Sequence, residues 1–241
     1  METPVDPLAP SRPFSVFLPV YNEEEILVAN TERLLQFLDS FGVPYEIIIG
    51  SNGSTDRTRQ LGETLQSRHP HVRFFHLPTS GPGRALTHAL DLMRYESVVC
   101  LDMDLSSDLG FVGAALRLLE AHDVVLGSKK MGVESRSLMR RLGSDLFIFC
   151  SQRLLGLSFD DYSIGAKAYR KSVLQRYRHV IDRGTAYVQK IVYLASRDGL
   201  KVTETPLRCE DFRASRFNLL HEGVYRFSRL FSLWWSTRHR R

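Results

Sequence analysis

The first half of this chain repeats one pattern: a short apolar run, then a helical segment, four times over. Phe14 to Val20 (FSVFLPV), Tyr45 to Gly50 (YEIIIG), Val72 to Leu77 and Ser97 to Leu101 read as buried strands. After the first, Ile26, Asn30, Leu34, Phe37, Leu38 and Phe41 recur at helical spacing until Gly42-Val43-Pro44 stops the helix. Asn22 is the expected N-cap, with Glu23-Glu24-Glu25 at the positive end. Further helices are expected over 57–67, 84–93 and 109–121, and a fifth strand over 123–126. Alternation of this kind predicts an α/β fold, a mostly parallel sheet with helices on both faces. Ligands of such sheets lie outside the C-terminal strand ends. Tyr21-Asn22, the turn opened by Ser51, the loop at Gly81 and the run Asp102-Met103-Asp104 all fall there.

The last of these carries the most chemistry. Two carboxylates spaced i, i+2 on a strand point the same way. An apolar strand that ends in such a pair suits a hard divalent cation, which prefers oxygen ligands. The alternative is two solvated acids in a loop.

The second half is less regular. A polar loop over 127–135 precedes a helix over 137–155, on which Arg140 and Ser144 share a face. A turn at Asp160-Asp161-Tyr162-Ser163 leads to a short strand over 165–169. Helices over 171–177 and 187–196 and an alternating edge strand over 201–206 follow. Residues 218–235 form a wide apolar stripe of Leu220, Val224, Phe227, Leu230, Phe231 and Trp234. That stripe either packs on the domain or lies in a bilayer interface, with Arg238, Arg240 and Arg241 on headgroups.

Charge follows the same division. Of a net +5, eight Arg against three acids lie in 208–241, and the remaining chain balances. The tail therefore suits an anionic surface. It lacks an interleaved reading motif, so no nucleic-acid partner is expected. No run approaches about 18 apolar residues, so no membrane span is expected. Cys100, Cys150 and Cys209 lie far apart, which excludes a disulfide framework or a structural zinc site and fits a reducing compartment. Residues 1–13 read as a flexible arm without the marks of a signal peptide, 14–217 as the catalytic domain and 218–241 as a basic amphipathic helix.

Seven short motifs occur in order. They are Leu18-Pro19-Val20-Tyr21-Asn22-Glu23, Gly53-Ser54-Thr55-Asp56, Gly81-Pro82-Gly83-Arg84-Ala85, Asp102-Met103-Asp104-Leu105-Ser106, Gly127-Ser128-Lys129, Arg140-Arg141-Leu142-Gly143-Ser144 and Asp161-Tyr162-Ser163-Ile164-Gly165. With them the chain resembles the family 2 glycosyltransferases of GT-A fold, and among these the dolichyl- and polyprenyl-phosphate sugar synthases. The resemblance implies that Asp102 and Asp104, with Ser106 nearby, form a DXD site for Mg²⁺ or Mn²⁺. It implies a nucleotide pocket of Pro19, Tyr21, Glu23, Ser51, Gly83, Arg84 and Asp102. It places the acceptor's phosphate on Lys129, Arg140 and Ser144, and gives Asp104, Arg140 and Arg213 catalytic roles. Arg213 and Arg216 would close over the diphosphate.

The implied reaction moves mannose or glucose from a donor of GDP-mannose or UDP-glucose type to dolichyl or polyprenyl phosphate, with inversion. The protein would work as a peripheral enzyme on the cytoplasmic face of a membrane. A glycan hydroxyl as acceptor, or a non-catalytic relative that binds sugar nucleotides, are the competing readings. Two departures bear on specificity. Ser51-Asn52 stands where the family usually carries Asp-Asp, and Lys129 stands where Arg is usual.

Overall fold

The computed structural model describes residues 10–128, 138–159, 165–209 and 219–238, without the side chains of 138–142, 144 and 219–222. Its strands are β1 (Phe14–Val20), β2 (Tyr45–Asn52), β3 (Val72–Leu77), β4 (Ser97–Cys100), β5 (Val124–Ser128), β6 (Lys167–Arg170) and β7 (Val202–Pro206). Its helices are α1 (Leu27–Asp39), α2 (Thr58–Arg68), α3 (Pro82–Leu92), α4 (Gly110–Leu118), α5 (Leu138–Leu155), α6 (Lys171–Arg176), α7 (Tyr187–Arg197) and α8 (Leu219–Arg238). The strands form one sheet in the order β3-β2-β1-β4-β6-β5-β7. This is the mostly parallel α/β sheet that the alternation predicts, and β7 is the expected edge strand.

Two apolar layers flank the sheet. Val16, Leu18, Ile47, Ile49 and Val99 pack against Leu27, Leu34 and Leu38 of α1, Leu65 of α2 and Phe111, Val112 and Leu116 of α4. Residues of opposite parity, Phe17, Ile48, Val98 and Cys100, face Leu86 and Leu90 of α3 and Val188, Ile191 and Val192 of α7. Both parities are buried because both faces are covered, so these strands read as continuous apolar runs.

Chain direction places the site. β1 pairs in parallel with β2 on one side and β4 on the other. Strand order reverses between β1 and β4, and such a reversal opens a crevice beyond the strands' C-terminal ends. β6 runs antiparallel to both neighbours, so its first residue, Lys167, sits opposite Cys100 at the end of β4. The segment before β6 therefore also arrives at the crevice. β5 and β7 end at the same edge.

Asn22 differs from expectation. Helix α1 starts at Leu27, whose N–H bonds the Glu23 carbonyl, and Asn22 is not its cap. Asn22 instead takes a left-handed conformation (φ 54°). There its side-chain oxygen accepts the Thr55 N–H at 2.8 Å and its own N–H donates to Ser54 Oγ at 3.1 Å. The Glu23–Glu25 run likewise lies before the helix, with the amides of Glu23 and Glu24 donating to Thr58 Oγ1 and Asp56 Oδ2. The loops after β1 and β2 are thus laced together.

Asn52 extends this lacing to α3. Buried at the end of β2, it donates to the Val20 carbonyl at 2.8 Å and accepts the Gly81 N–H at 2.9 Å. Asn52→Ala leaves both backbone groups without that partner, at about 1–3 kcal/mol each. Urea unfolding of this variant is expected to show a loss of about 2–4 kcal/mol, with the m-value unchanged.

Candidate active site

β4 stops at Cys100, and the Leu101 N–H makes the last bond to β1, to the Phe17 carbonyl at 3.0 Å. The acidic run therefore lies in a turn rather than on the strand. The Leu105 N–H closes this turn on the Asp102 carbonyl at 3.2 Å, and Leu105 takes a left-handed φ of 47°. Asn30 of α1 holds the Met103 carbonyl at 2.9 Å. Met103 and Leu105 are buried in the core, whereas Asp102, Asp104 and Ser106 reach solvent. The i, i+2 spacing thus still turns both carboxylates outward, although through a turn. The Ser106 N–H donates to Asp104 Oδ1 at 3.0 Å and fixes that carboxylate.

The second half of the chain presses on Asp102. The Gly165 amide donates to its carboxylate, and a Cβ on residue 165 would overlap that carboxylate. Lys167, itself buried, lies close enough to favour its charge. Asp102 is accessible to solvent, yet the protein packed around it disfavours ionisation. Its carboxyl is raised above the usual range, first by desolvation and then by the Asp104 charge, against the opposing Lys167 and Gly165. Cys100, beneath it, is pushed up to about 12 by burial, so its thiol stays protonated and inert.

Two like-charged carboxylates at the crevice, one of them reluctant to ionise, form an all-oxygen set of the kind that Mg²⁺ or Mn²⁺ takes. Among the described residues no third His, Cys, Asp or Glu joins them. The donor set therefore fits a cation that shares its coordination with a polyanionic ligand.

Around this pair lie the strand ends of the first half. Tyr21 is 47% exposed after β1, and Pro19 and Glu23 are partly buried. Ser51 is fully buried, its hydroxyl bonded to Ser54 Oγ and His76 Nδ1, both at 3.0 Å. His76, opposite Ser51 on β3, is the more accessible of the two. Gly83 is also buried. The atom that crowds its Cα side is the Asp182 carbonyl, and its N–H donates to the Arg183 carbonyl at 3.3 Å. Close backbone packing requires glycine there. Arg84 remains at the opening of α3, with Nη1 on Thr79 Oγ1 at 2.6 Å.

The glycosyl transferase family 2 model matches residues 15–178, which span the sheet from β1 to the end of α6. This chain belongs to glycosyl transferase family 2. An undecaprenyl-phosphate 4-deoxy-4-formamido-L-arabinose transferase of Edwardsiella ictaluri is 31% identical over 199 residues, 80% of this chain and 59% of that protein. Glycosyltransferase AglD of Haloferax volcanii is 24% identical over 229 residues, 92% of this chain and 37% of that protein. The chain thus spans about 37% to 64% of the length of the curated relatives it matches. A glucosyl-3-phosphoglycerate synthase from Mycobacterium tuberculosis, crystallised with Mn²⁺, UDP-glucose and phosphoglyceric acid, superposes with a TM-score of 0.66 at 20% identity, over 93% of this chain and 80% of that one. The fold is therefore the GT-A type of this family.

Several residues singled out in the sequence lie elsewhere. Lys129, which directly follows β5, lies outside the described residues, as do Asp160 to Ser163, Arg213, Arg216, Arg240 and Arg241 and the first nine residues of the arm. So do the side chains of Arg140 and Ser144 on α5. The chain from β7 toward Arg213 passes the acidic turn, where the Asp108 N–H donates to the Arg208 carbonyl at 3.0 Å and Ser107 pairs with Cys209. Lys167 and Asp182 escaped the sequence reading, and Gly165 entered it only as the end of the motif that begins at Asp161. The one available signal was Lys167, a charge between two alanines at the start of β6.

Two outcomes follow for this family 2 site. If Asp104 holds the cation, as proposed below, Asp104→Asn is expected to lower kcat/KM at least about a hundredfold, since a ligand matters no less than its supporting shell. Asp102→Asn should abolish activity yet raise the thermal midpoint of the metal-free protein at neutral pH. The sign follows from the raised carboxyl: its charge opposes folding as pH climbs from the ordinary carboxylate range through the folded-state value, and the amide removes that charge. Scanning calorimetry from pH 4 to 8, with EDTA and with Mn²⁺, checks both the sign and the loss of the metal-dependent stabilisation.

Proposed function

We propose that this chain is a metal-dependent, inverting glycosyltransferase that moves a hexose, mannose or glucose, from a nucleoside diphosphate to a polyprenyl or dolichyl phosphate. The observation that carries this reading is the Asp102–Asp104 turn at the point where strand order reverses, in a chain of family 2. Asp102 and Asp104, with Ser106, would hold Mg²⁺ or Mn²⁺, which supplies neutralisation of the departing diphosphate. The solved structure of the M. tuberculosis synthase with Mn²⁺ and UDP-glucose supports a divalent cation and a nucleotide sugar. The name of the E. ictaluri relative supports a lipid-phosphate acceptor.

The acceptor's phosphate oxygen is already anionic near neutral pH. It needs orientation by cations more than a general base. Lys129, Arg140 and Ser144 are the proposed phosphate cradle, and Arg213 the proposed closing cation. The oxygen attacks the anomeric carbon from the face opposite the nucleotide. The bond to the diphosphate oxygen breaks with its electron pair on that oxygen, and the configuration inverts. Tyr21, Pro19, Glu23, Ser51 and Arg84 line the proposed nucleotide side.

The described residues also support work at a membrane surface. No helix among them is long and apolar enough to cross a bilayer. Helix α8 buries Leu230 and stacks Phe227 edge-on against Phe147 of α5 at 5.4 Å, while Val224, Phe231 and Trp235 remain exposed. Those three lie at i, i+7 and i+11, along one side of the helix. Leu146 and Phe149 of α5 are exposed as well. Arg229 is exposed on α8, and Arg238 lies over the Trp234 ring at 4.7 Å. Apolar side chains beside guanidinium groups suit an anionic lipid interface. The enzyme would attach there peripherally, on the cytoplasmic face.

Incubation with Mn²⁺, radiolabelled GDP-mannose or UDP-glucose and a polyprenyl phosphate, followed by organic extraction, tests the activity. The expected product is a labelled lipid monophosphate sugar of inverted anomeric configuration, lost on addition of EDTA. No lipid-linked label from any common donor would overturn the reading. Label transferred to an added glycan would instead favour a hydroxyl acceptor. Arg140→Ala is expected to raise KM for the lipid phosphate at least tenfold, in line with about 1.5–3 kcal/mol for a hydrogen bond to a charged group.

A further inference from the structure

Three residues, Asp182 to Gly184, between the 3₁₀ turn at Arg178–Val180 and α7 touch two parts of the molecule. On one side they meet the opening of α3. The Asp182 carbonyl presses on Gly83, the Arg183 carbonyl accepts the Gly83 N–H at 3.3 Å, and that same carbonyl lies 2.8 Å from where a Cβ on residue 81 would stand. On the other side they meet α8. Tyr225 lays its ring and hydroxyl against Gly184, where a Cβ would overlap it. Its hydroxyl donates to Asp182 Oδ2 at 3.3 Å. The same oxygen accepts from Lys190 Nζ of α7 at 3.3 Å, and Asp182 Oδ1 is buried with no hydrogen-bond partner among the described residues. Arg229, one turn along α8, lies over the Tyr225 ring at 5.3 Å.

The glycines determine what this arrangement can do. Backbone carbonyls rest directly on Gly81 and Gly83 with no side chain between them. A shift of the 182–184 backbone therefore displaces the start of α3 rather than a compliant rotamer. On the α8 side the attachment includes the Tyr225–Asp182 hydrogen bond and the Tyr225 ring face on Gly184. Val224, next to Tyr225 in sequence, faces outward. Whatever covers the outer stripe of α8 thus acts on the helix that carries Tyr225.

We infer that Asp182 and Tyr225 are positioning residues that couple the seating of α8 to the loop opening α3. Contact of the outer stripe with a lipid surface would then order the nucleotide side of the cleft. This rests on the reading above for the identity of that loop as the donor side and of the surface as lipid. The coupling itself rests on the contacts.

Hydrogen–deuterium exchange on the full chain, without substrate, tests the coupling directly. Tyr225→Phe removes one hydroxyl and keeps the ring. Exchange at 81–86 and 181–185 is expected to rise about fivefold, the scale of one ordinary hydrogen bond, with β1 and β2 unchanged. Unchanged exchange at 81–86, or uniform acceleration that includes β1, would overturn the coupling.

A second pair separates it from a simple ion pair. Asp182→Asn keeps an oxygen for Tyr225 but removes the charge opposite Lys190, whereas Asp182→Ala removes both. Exchange at 81–86 is expected to stay near wild type in the first and to rise in the second. Equal effects would assign Asp182 to the ion pair alone and overturn the proposal.

Vesicles of phosphatidylcholine with one quarter phosphatidylglycerol then test the lipid arm. They should slow exchange at 81–86 in the wild type more than in Tyr225→Phe. If vesicles leave α8 itself unprotected, the lipid reading fails while the vesicle-free comparison still decides the coupling. In steady-state assays with the donor that the activity screen identifies, Tyr225→Phe should raise the donor KM about threefold and leave kcat within a factor of two.

Discussion

Everything at this site depends on β1 being paired on both sides by parallel strands. That pairing consumes the backbone hydrogen bonds of β1 and forces the chain to leave its end into open space. The order reversal between β1 and β4 makes this space a crevice, because no crossover helix covers it from both directions. Asn52 ties the ends of β1 and β2 to the start of α3, and Asn30 ties the acidic turn to α1. Each anchor is a side-chain amide, buried at Asn52 and partly buried at Asn30, that satisfies main-chain groups which loop geometry would leave orphaned. The result is a cleft floor with little freedom to move, on which two carboxylates are held facing outward.

Sequence periodicity was a good guide to the first half because its signals are local. Strand residues of both parities are apolar, helix stops are Gly and Pro, and each element neighbours the next. In α1 the spacing picked out Leu34 and Leu38, which are buried, and Ile26, Phe37 and Phe41, which pack partly buried against the core, but not the buried Leu27 and Thr31. Its start shows the limit. Asn22 has the chemistry of an N-cap, but a partner 33 residues on, Thr55, takes its side-chain oxygen. The acidic pair was expected on the strand end and lies in the turn after it. β4 is only four residues long, and the outward direction of Asp102 and Asp104 comes from the burial of Met103 and Leu105 between and after them.

In the second half the elements themselves were legible, with β6, α6, α7 and β7 close to their expected bounds, but strand direction was not. β6 also has only four residues and enters the sheet antiparallel, so what it brings to the site is its beginning. No local pattern announces strand direction. Lys167 and Gly165 were therefore read as part of a short strand, with no sign that they meet the acidic turn. Gly83 is the converse case. Its motif suggests room for a ligand, and the room is filled by the backbone of 182. The stripe on α8 had been open to two readings, packing inward or facing a bilayer. The helix has apolar residues for both sides, Leu230 and Phe227 inward and Val224, Phe231 and Trp235 outward.

Three glycines, at 81, 83 and 165, lie where the two halves of the chain meet around the cleft, and a Cβ at each would run into a carbonyl or the Asp102 carboxylate. Together they make a seam without side chains. Such a seam resists redesign, since even a methyl group added there would push the halves apart. A change in the size of ligand that the cleft admits therefore has to be made at the strand-end loops. Tyr21, half exposed after β1, is the position there with the most side chain to give up.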